Sequence, residues 1–403
     1  MDLSTDIASV AGFRVASVDA GLRKQPAPDL TLIVTDAPYT AAGVFTTNRV
    51  QAAPVILDRA RLADHPDRIR AVLINAGCAN AATGDPGLRN AEQCAAWAAE
   101  SIGCAADEVL VMSTGVIGVQ FAMEKFKAAI PIAAAALRPD GWMDAARAIM
   151  TTDTRPKTAS ITANGFTIAG IAKGAGMIAP NMATMLAVIV TDADIPHNVL
   201  QRALGQAAAA TFNHIVIDGD MSTNDTLLAL ASGTSGVQIG ADPSRFGFTG
   251  ALYRVCKQLA QAIVRDGEGV TRFITLHILH ADEPAHAYQI ANTIATSPLV
   301  KTAFYGGDAN WGRILAAAGR AGIEFDPAKL ALWYEEGEKE PAGGLQLVAN
   351  GTPLAYDEAQ ANAIAASPEV TVTLDIGMGD APATVWTCDL SHDYVSINGH
   401  YRT

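Results

Sequence analysis

Aromatic residues are few in this chain, at 6% of 403 residues, and charged residues reach only 17%. With half of the residues hydrophobic, that scarcity of charge excludes a solvated, disordered chain and predicts a compact globular protein with room for two or more core-building units. Cations are the rarer sign: 28 Lys and Arg against 41 Asp and Glu leave a formal charge of −13. No Lys/Arg-rich patch interrupts this, which argues against nucleic acid or an anionic membrane as a partner. The five cysteines (Cys78, Cys94, Cys104, Cys256, Cys388) include no C-x-x-C pair. They build neither a disulfide framework nor a zinc site, and they fit reduced thiols in a cytoplasmic protein. The eight histidines lack H-x-x-x-H and H-E-x-x-H spacing. His277 and His280 stand three apart in and just after a β-type run, an odd separation that points them to opposite faces. No P-loop pattern and no G-x-G-x-x-G after a strand supports nucleotide binding. The most apolar stretch, Met182 to Val190, is too short to span a bilayer. The first residues, Met-Asp-Leu-Ser-Thr-Asp, are acidic and show no apolar core of a secretory signal.

What is present is an even composition of short strand-like and helix-like runs, without linkers or repeats. β-type runs recur at 30–34, 71–74, 109–112, 166–169, 185–190, 275–279, 345–348, 370–374, 383–386 and 394–397. Helical spacing of apolar residues marks 90–102, 196–212, 253–265 and 311–321. Mixed order without strict β-α-β alternation predicts an α+β fold of layered mixed sheets. Two regions are expected, 1–183 and 184–403. Their boundary falls in an apolar segment, which suits an internal processing site better than a hinge.

That segment, Lys173-Gly-Ala-Gly-Met-Ile-Ala-Pro-Asn-Met-Ala-Thr184-Met-Leu186, is the most informative in the chain. A cut before Thr184 would give one residue both a hydroxyl and a free α-amine, a complete nucleophile and base. The amine, with an ordinary pKa of about 7.7–8.0, is partly neutral at physiological pH and accepts the proton. The cut needs no protease: Thr184 Oγ can attack the carbonyl of Ala183, and water hydrolyses the resulting ester. The plainer alternative is a glycine-rich loop leading into a core strand, with Lys173 reaching to water.

Other motifs follow in a fixed order. They are Ala41-Ala-Gly-Val-Phe-Thr-Thr-Asn48, Asn75-Ala-Gly-Cys-Ala-Asn-Ala81, Ser113-Thr-Gly-Val-Ile-Gly118 and Thr151-Thr-Asp-Thr154, then Asp218-Gly-Asp220 with Ser222-Thr-Asn-Asp-Thr226. Asp266-Gly-Glu-Gly269, Asn310-Trp-Gly-Arg313 and the stretch from Asp393 to Thr403 complete the series. Together they resemble the ornithine acetyltransferases, or glutamate N-acetyltransferases, the arginine-biosynthesis bifunctional proteins. The resemblance implies an N-terminal-nucleophile-like fold that cleaves itself between Ala183 and Thr184 into associated α (1–183) and β (184–403) fragments, two of each forming a heterotetramer. It implies Thr184 as nucleophile, with Thr114 and Gly115 as the oxyanion hole. Thr151, Thr152, Lys173, Thr184, Glu268, Asn398 and Thr403 would bind substrate. The acetyl group would pass by ping-pong chemistry from N2-acetylornithine to L-glutamate, with acetyl-CoA as a second donor in bifunctional members and no metal or prosthetic group required.

Read from residue type alone, several of these positions have ordinary uses: Ser113-Thr114-Gly115 as a strand-to-turn connection, Thr151 and Thr152 as caps, Glu268 as a surface turn. Glu268 could pair with the side-chain ammonium of ornithine or shuttle a proton; the first role is awkward when glutamate occupies the same place. Tyr394, Ile397 and Tyr401 are candidate anchors of the chain end. Met221, Val270, Arg272 and Ala76 depart from the usual family residues and bear on substrate preference, not on reaction class. The alternatives are a self-processing aminopeptidase or amidase, in which water replaces glutamate, and an uncleaved acidic scaffold.

Overall fold

The computed structural model describes residues 6–179, 185–341 and 343–400, apart from the side chains of Pro38 and Arg245. These form two units, one of residues 1–213 with 220–263, the other of 214–219 with 264–403.

In the first unit the strands are β1 (Phe13–Val18), β2 (Leu30–Phe45), β3 (Ile69–Cys78), β4 (Val109–Val116), β5 (Lys157–Ala163), β6 (Phe166–Lys173), β7 (Leu186–Thr191) and β8 (Thr226–Ala231). Among the described residues they hydrogen-bond in the order β4-β3-β2-β8-β7-β6-β5, with β1 also paired to β2. β3–β4 and β7–β8 are parallel and the rest antiparallel. The helices are α1 (Ala53–Asp64), α2 (Gly84–Ile102), α3 (Met123–Ala135), α4 (Trp142–Ala148), α5 (His197–Ala210) and α6 (Phe248–Arg265), whose last two residues belong to the second unit.

β2 is the pivot of this sheet. Its first part pairs with β1 and β3, its register breaks between Val34 and Tyr39, and its second part pairs with β8. One core then holds Ile33, Val72, Ile74 and Leu110 from β2–β4 together with Ile171, Val188 and Leu228 from β6–β8, so the sheet folds back on itself. The alternate residues of β2–β4 (Leu32, Val34, Leu73, Val111) meet Ala91, Cys94, Ala98, Phe126 and Ile130 of α2 and α3. Burial on both faces explains why these strands read as unbroken apolar runs and not as an alternating pattern. On the far side of the fold, a Cβ at Gly170 of β6 would stand 2.5 Å from Ile189 Cδ1 and 2.9 Å from Leu259 Cδ1 of α6. The unit is thus layered helix, sheet, sheet, helix, the mixed layering expected of the sequence.

The second unit contains β9 (Phe273–Ala281), β10 (Ala331–Glu336), β11 (Leu345–Ala349), β12 (Thr352–Pro353), β13 (Glu369–Asp375) and β14 (Ala381–Cys388), in the order β12-β11-β10-β13-β9-β14. Its helices are α7 (Pro284–Ala295), α8 (Pro298–Gly306), α9 (Trp311–Gly319), α10 (Glu358–Ala365) and α11 (His392–Gly399). Ile290, Ile294, Ile314 and Ala365 of the helices share a core with Leu276, Leu332, Val372 and Val385 of the strands. The run 394–397, read as a strand, is helical. Ser391 Oγ accepts the amide of Tyr394 as an N-cap, Asp393 sits in the first turn, and Val395 and Ile397 are exposed, so no core draws them into a sheet. Among the described residues no helix is long and apolar enough to cross a membrane. The five cysteines are free, and His277 and His280 hold different partners, Thr384 and Asp375.

Candidate active site

β4 is the outer strand of its sheet, and its open edge is closed by α1. Asp58 Oδ1 accepts the amide of Val111 at 2.8 Å, and the buried Arg61 donates to the carbonyl of Val109. At the other end β4 lies against β3 with Gly115 opposite Gly77, where β3 bulges before Cys78. Gly115 has φ +131°, and a Cβ there would fall 2.3 Å from the carbonyl carbon of Gly77. Only glycine fits. Ser113 Oγ donates to Asn75 Oδ1 at 2.7 Å, and Asn75 Nδ2 reaches back to the carbonyl of Cys78 at 2.9 Å. The Asn75 and Ser113 motifs are therefore one built turn, with Thr114 buried at its head.

Lys173 ends β6, buried to 2% exposure. Its Nζ donates to Thr114 Oγ1 at 3.3 Å. Because the lone pair of Thr114 receives that bond, the hydroxyl hydrogen remains available to an oxyanion. A buried ammonium needs compensation, and Asp153 supplies it. Asp153 accepts the Gly174 amide at 2.7 Å, the Thr151 amide at 2.9 Å, and the Nζ of the equally buried Lys157 at 2.6 Å. Burial alone would raise the pKa of Asp153, but the charges of Lys173 and Lys157, with the Gly174 bond, overturn this and hold it at about 2. The carboxylate is thus ionised, tying the Thr151 turn to the residue that follows Lys173. Thr151 and Thr152 are half-buried beyond α4.

Glu268 and Asn398 lie in the second unit. Glu268 is buried in the turn between α6 and β9, and Asn398 Nδ2 of α11 donates to its Oε2 at 2.7 Å. The turn is locked: Ser391 Oγ donates to the Gly269 carbonyl at 2.6 Å, and Tyr394 OH to Asp218 Oδ2 at 3.2 Å. Tyr394 is thereby an anchor of α11; Ile397 is exposed.

Ala183, Thr184, Thr403 and Tyr401 lie outside the described residues. The described flanks of the Thr184 segment are buried, at Ile178 and Ala179 before it and Met185 after it. The structure therefore brings Thr114, Gly115 and Lys173 together, links Thr151 to them through Asp153, and separately pairs Glu268 with Asn398. Residue types alone assign no role to Asp153, Lys157, Asn224 and Asp225. The signal for the first two was four-residue Asp/Lys spacing beside the Thr151 motif; for the others it was inclusion in a quoted motif whose purpose residue types do not reveal.

The sequence profile of the ArgJ family matches residues 14–403. The chain belongs to the ArgJ family. It is 45% identical over 402 residues to the arginine biosynthesis bifunctional protein ArgJ of Geobacter sulfurreducens, covering 98% of this chain and 100% of that one. The ArgJ protein of Chlorobaculum tepidum is 46% identical over 398 residues, covering 97% of this chain and 96% of its own. Among solved structures, an ornithine acetyltransferase of Mycobacterium tuberculosis complexed with ornithine is 38% identical, covers 46% of this chain and 99% of its own, and has a TM-score of 0.43. The ArgJ family is the one to which the order of motifs pointed, and this member is accordingly an acetyltransferase of arginine biosynthesis.

Proposed function

We propose that this ArgJ member cleaves itself between Ala183 and Thr184 and then carries acetyl groups on Thr184 Oγ. In the first half-reaction the α-amine of Thr184 takes the hydroxyl proton and Oγ attacks the acetyl carbonyl of N2-acetylornithine. The C–N bond breaks, the proton passes to the leaving nitrogen, and ornithine departs. In the second, the amine of L-glutamate attacks the acetyl ester, Thr184 Oγ recovers its proton, and N-acetylglutamate leaves. Acetyl-CoA serves as a second acetyl donor. Thr114 and the Gly115 amide stabilise the tetrahedral oxyanion. Lys173 sits beside that hydroxyl and offers a cation to the substrate carboxylate.

Thr151, Thr152, Glu268, Asn398 and Thr403 complete the substrate set on the family pattern. The pairing of Asn398 with Glu268 supports a shared role for these two at the amino-acid head. The cleaved protein assembles as two α and two β fragments in the cytoplasm. The observation that carries the reading is Lys173 bound to Thr114 above a turn that only glycine can form.

The test is incubation with N2-acetylornithine alone, followed by mass spectrometry under denaturing conditions. The expected result is one acetyl group on the fragment that begins at Thr184, discharged by glutamate faster than by water. Discharge by water at the same rate with and without glutamate would favour the aminopeptidase or amidase alternative.

A further inference from the structure

The Ser222–Thr226 segment takes no part in the mechanism above, yet two neighbouring side chains in it reach both halves of the acyl-transfer machinery. Asn224 is buried and its Nδ2 donates twice, to the carbonyl of Ser113 at 2.8 Å and to that of Ala79 at 2.7 Å. Ser113 immediately precedes Thr114. Asp225 is fully buried, and its Oδ1 accepts the amide of Met185 at 3.0 Å. Met185 immediately follows Thr184, and its carbonyl accepts the amide of Thr226 at 3.1 Å, just ahead of the parallel β7–β8 ladder, which begins at Leu186.

The segment is itself held from behind. Thr46 N donates to the Asp225 carbonyl at 2.9 Å, Thr46 Oγ1 to the Ser222 carbonyl at 2.8 Å, and Ala52 N to the Thr223 carbonyl at 2.9 Å. Asn224 Oδ1 is satisfied by Thr223 Oγ1 at 2.7 Å, so the amide group cannot rotate without losing three bonds.

We propose that Asn224 and Asp225 are positioning residues for acyl transfer: together they set the spacing between the oxyanion turn at Thr114 and the nucleophile at Thr184. This rests on the assignment of those two roles. The residues touch no substrate. They act through the Ser113 carbonyl and the Met185 amide, one residue away from each reacting group. A displacement of about 1 Å at such a site costs up to about a hundredfold in rate. Burial pushes the Asp225 carboxyl well above its ordinary range, outweighing the Met185 bond and the nearby Lys173 charge. A neutral amide of the same shape is therefore a conservative replacement that keeps the acceptor.

The test uses the full chain in four variants: Asp225→Asn, Asp225→Ala, Asn224→Ala and Thr184→Ala. The readouts are the rate of chain cleavage, single-turnover acetylation, and KM for N2-acetylornithine. Asp225→Ala and Asn224→Ala are expected to slow cleavage and acetylation by about tenfold to a hundredfold, with KM held within about threefold. Asp225→Asn is expected to recover most of the rate. A loss confined to melting temperature, with acetylation per folded site unchanged, would overturn the proposal, as would Asp225→Asn no better than Asp225→Ala.

If the alanine variants fail to fold, hydrogen exchange at the Met185 amide decides in the wild type and Asp225→Asn. Strong protection in both is expected, and exchange at the rate of an open amide overturns the proposal. Thr184→Ala separates the layers: retained exchange activity there sinks the nucleophile assignment, whereas an inert Thr184→Ala beside wild-type rates in the other variants sinks the clamp alone.

Discussion

Charge at the residue scale is arranged around Lys173. The cluster Lys157–Asp153–Lys173 is buried, and Asp153 is the group that makes two adjacent cations tolerable. Its folded carboxyl is held at about 2, below the ordinary carboxylate value of 3.8. A depressed carboxyl stabilises the fold above its unfolded value and loses that contribution as the pH falls toward the folded one. The stability gap between wild type and Asp153→Asn, read by urea denaturation, should thus be widest above about pH 4 and shrink by about 2 kcal/mol on acidification to about pH 2. A gap that does not change contradicts the ion pair. Thr114→Val should fold and lose about 10²–10³ in kcat, whereas Gly115→Ala should lose stability as well, by about 2–4 kcal/mol, because of its φ and the contact with Gly77. Activity of the wild type should fall below about pH 7 as the Thr184 amine protonates; a flat acid limb contradicts the self-base.

Strands and helices differ in how plainly the chain announces them. Of the nine β-type runs from 30–34 to 383–386, eight fall inside strands and 185–190 starts one residue ahead of β7, because each is buried in a layer and burial leaves a compositional trace. The tenth, 394–397, shows the limit: Tyr-Val-Ser-Ile has strand propensity, but Ser391 caps it as a helix and no sheet edge takes it. The Ala-rich helices α3 and α4 left little periodic contrast to read. The bend of β2 was hidden too, because strand composition does not say where pairing changes partner.

The site was legible only through motif order. Thr114, Gly115 and Lys173 are unremarkable as residue types; the bond from Lys173 to Thr114 spans 59 residues of chain, and the one that ties Gly174 to Asp153 spans 21. β7 and β8 lie between β2 and β6 in the sheet. A cut before Thr184 would thus leave two strands of the C-terminal fragment flanked on both sides by strands of the other. The fragments should co-elute on size exclusion in native buffer and separate only in denaturant. Separation in native buffer contradicts the strand order.

For the whole molecule, the two compact units do not coincide with the two proposed fragments: the described residues on either side of the proposed cut, up to Ala179 and from Met185, both belong to the first unit. Cleavage would then change covalent connectivity inside one folded layer system while the core of the second unit, built from Leu276, Ile290 and Val372 among others, stays uncut. The native mass should correspond to two copies of each fragment, measured by light scattering; a single copy of each contradicts that assembly. The most direct measurement is intact mass under denaturing conditions, with N-terminal sequencing of each species, on a preparation that is exchanging acetyl groups between N2-acetylornithine and glutamate. Two fragments, of residues 1–183 and 184–403, with threonine at the new N-terminus, are expected. An unbroken chain with full exchange activity would contradict the account.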